Sequence, residues 1–229
     1  MSYKPDKYEK VIKILQKFPA FKEFSSSELR TLLAYWQPQI KTVPKNTVIL
    51  PAGERPDMWG ILLSGSIHVV NDDSDGNHTL VKALASGSSF GGAYYYTERD
   101  ENPFTLVAVK DSLIMTWKTN PDGYPFPFQN FPMSMYKKFI GVLLRLIAKR
   151  DFDVYRRVHV LSLKTIREKV LAYLRDLSNH GRTVDIPLNQ TQLACYLCVS
   201  RSALAHELSH MKKDGLIKYK KNIFTLKIR

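Results

Sequence analysis

The sequence predicts an α+β chain: a helical start, an antiparallel sandwich or barrel, one long helix, then two short helices and a hairpin. Three observations carry that prediction. The hydrophobic period changes from helical to alternating near Ile40 and returns to helical near Phe131. Turn residues separate the short apolar runs between those points. Basic charge gathers at the C-terminal end: residues 159–229 hold 13 Lys/Arg against 5 Asp/Glu, a balance of +8 out of the +13 of the whole chain. A polyanion is the expected partner of that end.

The first element is justified by Val11, Ile12, Leu15 and Phe18, then Leu29, Leu32 and Leu33, which recur at helical spacing. Ser25 to Ser27 followed by Glu28 predicts a capped start between two short helices. The sandwich rests on six runs, at 47–50, 58–63, 66–70, 79–84, 104–109 and 112–117. Pro51-Ala52-Gly53, Ser64-Gly65, Asp75-Gly76 and Ser86-Gly87 supply turns between them.

In the long helix Ile140, Leu144, Ile147, Asp151, Val154, Val158 and Leu161 are spaced alternately by four and three residues. That is a heptad seam with one polar member, read as a dimer interface. An amphipathic helix lying on its own domain is the alternative. A further helix is expected over 164–179, with Val170, Tyr173, Leu174 and Leu177 on its inner face and His180-Gly181 as terminator.

The C-terminal module carries the most chemistry. Asn189 caps a helix over 190–197, and Cys198-Val199-Ser200 makes a tight turn. Ser200 caps a second helix over 201–213 with Leu204, Leu208 and Met211 inward, and strands at 216–220 and 222–228 follow. This order is that of a winged helix-turn-helix, whose second helix enters the major groove of double-stranded DNA. Arg201, Ser202, Ala205, His206 and Ser209 are the outward residues expected at base edges, with Arg201 able to read guanine by two hydrogen bonds. Asn189, Gln190, Thr191, Ser200, Lys212, Lys213, Lys218 and Lys221 are the expected phosphate-side contacts.

Other signals are weighed and set aside. Cys195-x-x-Cys198 has the spacing of half a zinc site, yet no second pair of ligands lies near, and buried packing is the favoured reading. His206 and His210 stand at i, i+4 but lack the Glu of a His-Glu-x-x-His site. His68 and His78 lack the His-x-His of a cupin centre. No phosphate loop, dinucleotide fingerprint or nucleophile elbow is present, so no metal, no catalytic residue and no enzyme are expected. The polar start MSYKPDKYEK and the Arg145 and Lys149 that break the run from Phe139 leave no signal peptide or membrane span, so a cytoplasmic protein is expected.

Pro51-Ala52-Gly53-Glu54, Ser64-Gly65-Ser66, Gly87-x-x-Phe90-Gly91, the long helix and Leu193…Val199-Ser200-Arg201…Leu204 together resemble the Crp–Fnr superfamily of bacterial transcription regulators. The likeness covers about residues 30 to 229. It implies an N-terminal antiparallel β-roll, the cyclic-nucleotide-binding-like jelly roll, with flanking helices over residues 1–130. A dimerisation helix and hinge over 131–160 and a winged helix-turn-helix DNA-binding domain over 161–229 complete the expected domains. It further implies a homodimer on a pseudo-palindromic operator, with RNA polymerase as a further partner and no membrane.

Departures from the family pattern bear on the effector. Where nucleotide-binding members carry Glu, this chain has Gly92, and where they carry Arg-Ser it has Asn102-Pro103. A buried phosphodiester without a cation would be uncompensated. The long helix offers Asp153-Val154 where the nucleotide-binding activator has Thr-Ser. Cyclic AMP is therefore not expected as a cofactor; the N-terminal cysteines of the family's oxygen-sensing branch are missing, so an iron–sulfur cluster is not expected either, nor is haem. The roll is expected to take another small molecule around Phe90, Gly91, Gly92, Tyr94, Tyr95, Asn102, Pro103, Asp153 and Val154. The rivals are a constitutive regulator with no effector and a β-roll sensor that meets a protein partner.

Overall fold

The computed structural model describes residues 8–72, 78–92, 101–118, 132–178 and 183–227. The Asp75-Gly76 turn, Tyr94, Tyr95 and the His180-Gly181 terminator lie outside the described residues. The chain forms two compact units, Met1–Ala148 and Lys149–Arg229.

The first unit opens with α1 (Glu9–Leu15), a 3-10 turn at Pro19–Phe21 and α2 (Ser26–Trp36). The expected cap is present as a full capping box: Glu28 N–H donates to Ser25 Oγ at 3.2 Å, and Ser25 N–H donates to Glu28 Oε2 at 2.8 Å. Strands follow as β1 (Gln39–Val43), β2 (Val48–Leu50), β3 (Met58–Ser64), β4 (Ile67–Asp72), β5 (His78–Leu84), β6 (Ser89–Phe90), β7 (Thr105–Ala108) and β8 (Ser112–Lys118). They pair antiparallel into two four-stranded sheets, ordered β1-β8-β3-β6 and β2-β7-β4-β5. β1 and β6 are absent from the runs read in the sequence. β1 is an edge strand with one buried residue, and β6 has two residues, so neither leaves an apolar alternation.

The near-continuous apolar run 58–63 has a structural reason: β3 is buried on both faces. Trp59, Ile61 and Leu63 join Met115, Trp117 and the helices in one core, while Leu62 joins Val43, Leu50, Ile67, Phe90, Leu106 and Ile114 in another. The first helical core also takes Met135, Phe139, Val142 and Leu146 from the start of α3 (Met133–Ser162). Lys138 Nζ donates to Glu28 Oε1 at 2.5 Å and holds the Glu28 carboxyl below its usual pKa, helped by the cap. Arg145 pairs with the Glu23 carboxylate and donates to the Ala20 carbonyl at 3.2 Å.

The long helix carries two distinct stripes. The residues that pack on its own unit are Met135, Phe139, Val142 and Leu146, a different stripe from the predicted seam. The seam is left bare: Leu144, Ile147, Val154 and Val158 are each 50–63% exposed, Asp151 is exposed, and Ile140 and Leu161 are half-buried.

The second unit holds the end of α3, then α4 (Ile166–Ser178), β9 (Thr183–Asp185), α5 (Gln190–Tyr196), α6 (Arg201–Lys213), β10 (Ile217–Lys220) and β11 (Ile223–Leu226). Its sheet runs β10-β11-β9. Val170, Tyr173 and Leu174 are buried as expected, whereas Leu177 is 39% exposed. It sits in the last turn of α4. The Arg156 guanidinium donates to the Asp176 carbonyl at 2.9 Å, and that of Arg157 lies 4.7 Å from the Tyr196 ring centre.

Candidate nucleic-acid interface

The helix pair is fixed by its caps and by what it buries. Asn189 and Gln192 form a reciprocal box, each side-chain oxygen accepting from the other's backbone N–H at 2.9 Å. Leu193, Leu197, Leu204, Leu208 and Met211 are buried. Between the helices, Val199 N–H reaches the Ala194 carbonyl at 3.0 Å while Cys198 sits in the left-handed region at φ +54. That geometry turns the chain sharply and is the one that favours glycine. Cys198 is exposed and Cys195 half-buried, so the expectation of buried packing is corrected for Cys198.

Ser200 Oγ then accepts from Ala203 N–H at 3.1 Å and starts α6. Arg201, Ser202, Ala205, His206 and Ser209 are all exposed on that helix, as Leu204, Leu208 and Met211 take the inner face. Thr191, Lys212, Lys213, Lys218 and Lys221 are exposed and Gln190 is half-buried. Asn189 and Ser200 are exposed too, though their oxygens already serve as caps. At the wing, Tyr219 stacks on Phe224 with ring centres 5.3 Å apart, and Lys212 Nζ lies 5.8 Å from the Tyr219 ring centre. Lys221 takes φ +53 in the turn between β10 and β11, beside exposed Lys220.

The cassette region of the roll looks different. Phe90 is buried in the inter-sheet core, with its ring over Gly60. Gly91 has φ +80 and lies against the Met58 carbonyl, where a side chain would collide. A Cβ on Gly92 would strike the Trp59 indole. Trp59 is itself stacked on Trp117 at 5.2 Å. Asn102 is fully buried; its amide donates to the Pro51 carbonyl at 3.3 Å and to the Phe104 carbonyl, and its oxygen accepts from Phe104 N–H at 3.2 Å. The expectation that Asn102 faces an effector is corrected on this point, because its side chain is spent on the backbone of its own loop. Pro103 is exposed, Val154 is half exposed and Asp153 half-buried.

Comparison with known proteins agrees on both parts. Residues 40–120 match the family model described as a cyclic nucleotide-binding domain, and residues 168–229 match that of the Crp-like helix-turn-helix domain. The transcriptional activator protein FnrL of Cereibacter sphaeroides is 24% identical over 207 residues, spanning 84% of this chain and 77% of FnrL. The chain belongs to the Crp–Fnr superfamily. Solved structures carry the same fold. The c-di-GMP-responsive global regulator CLP of Xanthomonas campestris is similar at 18% identity and TM-score 0.66, over 90% of this chain and 100% of CLP. A mutant of CooA from Carboxydothermus hydrogenoformans is similar at 15% identity and TM-score 0.67, over 90% of this chain and 88% of that one.

This Crp–Fnr chain is thus a transcription regulator with a DNA-binding helix-turn-helix and a cyclic-nucleotide-binding-type domain. No helix among the described residues is long and apolar enough to cross a membrane. Two contributors escaped the sequence reading. Arg167 of α4 donates from Nε to Glu207 at 2.7 Å and pairs with Asp214 at 2.8 Å, so one guanidinium ties the middle of α6 and its C-cap to α4. The Glu207 bond is the main reason its pKa is raised. Trp59 fills the space beside Gly92. Both act across large separations in the chain, where spacing leaves no signal.

Proposed function

We propose that this regulator binds a two-fold symmetric DNA operator as a homodimer, reading bases with Arg201, Ser202, Ala205, His206 and Ser209. Asn189, Gln190, Thr191, Ser200, Lys212, Lys213, Lys218 and Lys221 hold phosphates beside them. The exposed, small and cationic outer face of α6 carries this reading, since inward packing of Leu204, Leu208 and Met211 leaves that face with no structural duty. The bare stripe of Leu144, Ile147, Val154 and Val158, closed by Ile140 and Asp151, supports the second copy as its cover. Paired recognition helices then meet successive major grooves about 34 Å apart. RNA polymerase is the downstream partner, the compartment is the cytoplasm, and no chemical step is involved.

The effector, in this reading, is not cyclic AMP held in the usual way. Gly92 offers no carboxylate and has no room for one, and Asn102 offers neither charge nor a spare amide. The test is selection of bound sequences from a random DNA pool, with wild type and Arg201→Ala in parallel. A palindromic motif that weakens or relaxes in the variant is expected. No enrichment at low salt, with the chain folded, would leave two choices: a missing effector, or a wrong reading of the C-terminal module in favour of the sensor with a protein partner.

A further inference from the structure

His206 and His210 stand one turn apart on α6, both exposed, with ring centres 4.4 Å apart and ring planes tilted by 44°. We propose that this pair is a solvent-facing chelate for a divalent transition-metal ion such as Ni²⁺, Cu²⁺ or Zn²⁺. The helix supplies the preorganisation. Leu204, Leu208 and Met211 are fully buried on its other side, Ser200 caps its start, and Arg167 clamps Glu207 and Asp214. The two backbone positions are therefore held while only the imidazole torsions adjust. Metal–nitrogen bonds of about 2.1 Å at a tetrahedral angle put two ligand atoms about 3.4 Å apart, within reach of rings at that separation.

The surrounding groups define what is bound. Glu207 and Asp214, the acidic residues of this stretch, are both engaged by Arg167. Lys213, one turn beyond His210, adds a positive charge. Among the described residues no third metal-ligating side chain gathers with the pair, so water completes the shell. Two imidazoles without carboxylates select nitrogen-seeking ions and pass over Mg²⁺ and Ca²⁺. The Glu missing between the histidines removes hydrolytic chemistry, which chelation does not need. One consequence rests on the DNA reading above: an ion on His206 occupies the ring that faces base edges, so metal and operator compete.

The first arm is calorimetric titration of untagged, full-length protein with NiCl₂ in the absence of DNA. One saturable equivalent is expected, weakened at least about tenfold by His206→Gln and by His210→Gln, unchanged by Cys195→Ser with Cys198→Ser, and absent with MgCl₂. Circular dichroism confirms that each variant is folded. Absence of saturable binding, binding that survives both histidine variants, or binding lost with the cysteines would overturn the site. The second arm measures operator affinity with and without NiCl₂. A loss of affinity in wild type but not in His210→Gln is expected; equal affinity would overturn the competition and leave the site. If no operator is selected at all, the first arm still decides the site, so the two failures are distinct.

Discussion

The outer face of α6 and the cassette at the end of β6 lie in the two family-matched domains, and they have opposite character. On α6 the distinctive side chains are exposed, and the helix is held by caps, buried leucines and the Arg167 clamp, none of which uses that face. In the described part of the cassette Phe90, Gly91, Gly92 and Asn102 are small or buried and packed against or bonded to the protein itself, while Pro103 is exposed. Asn102 is a backbone staple and Gly92 a gap that Trp59 fills.

The largest effect should come from the cassette's staple. Asn102→Ala removes the partners of the half-buried Pro51 and Phe104 carbonyls and of the Phe104 N–H, each loss costing up to about 1–3 kcal/mol. A loss of about 3 kcal/mol in urea unfolding is expected, and one below about 1 kcal/mol would show that the side chain is not structural. Restoring the family's carboxylate is the next test. Gly92→Glu must push the Trp59 indole aside, for a cost of about 1–3 kcal/mol typical of overpacking, with no cyclic AMP binding gained. A variant of unchanged stability that binds the nucleotide would break the comparison.

The opposite profile is expected on α6. Arg201→Ala should cost about 1–3 kcal/mol in operator affinity, roughly five- to 150-fold, and leave the melting temperature in place. A fall in melting temperature would make Arg201 a folding residue like Asn102.

Legibility followed the same division. The helix-turn-helix was readable because its signals are local: Asn189 and Ser200 are caps within three residues of the amides they serve, and the inner face repeats within one helix. Six of the eight roll strands were readable from apolar runs, while β1 and β6 were lost as an exposed edge and a two-residue bridge. The seam of α3 was readable by period, but only the structure separates it from the second stripe through Met135, Phe139, Val142 and Leu146. What stayed hidden was contact across the fold. Trp59 against Gly92 and Arg167 against Glu207 and Asp214 join residues far apart in sequence, and composition does not encode such pairs.

Smaller effects sharpen the comparison further. Lys218 is exposed on the wing, so Lys218→Ala should weaken all DNA sequences alike and reduce the slope of log K against log salt by about 1. Anisotropy titrations at several salt concentrations measure this, and a sequence-dependent loss with an unchanged slope would move Lys218 from phosphate to base.

The smallest effect concerns His68, which is buried in β4 between Ala83 of β5 and Val107 of β7. Burial pushes its pKa below the ordinary value, because the apolar surroundings disfavour the imidazolium. The unfolded chain therefore binds a proton near pH 6.5 that the folded chain refuses. The stabilisation is full above that value and declines as pH falls below it, until the folded-state pKa is reached. Glu28, also lowered, holds its contribution above about pH 4.5 and loses it only below, so the two windows separate. Urea midpoints between about pH 7 and pH 5 should fall with acid in wild type and fall less in His68→Gln. Equal slopes would mean that the buried imidazole is protonated in the folded roll. His68 would then be a charge accommodated by its surroundings rather than one more polar side chain taken up by the interior, as Asn102 is.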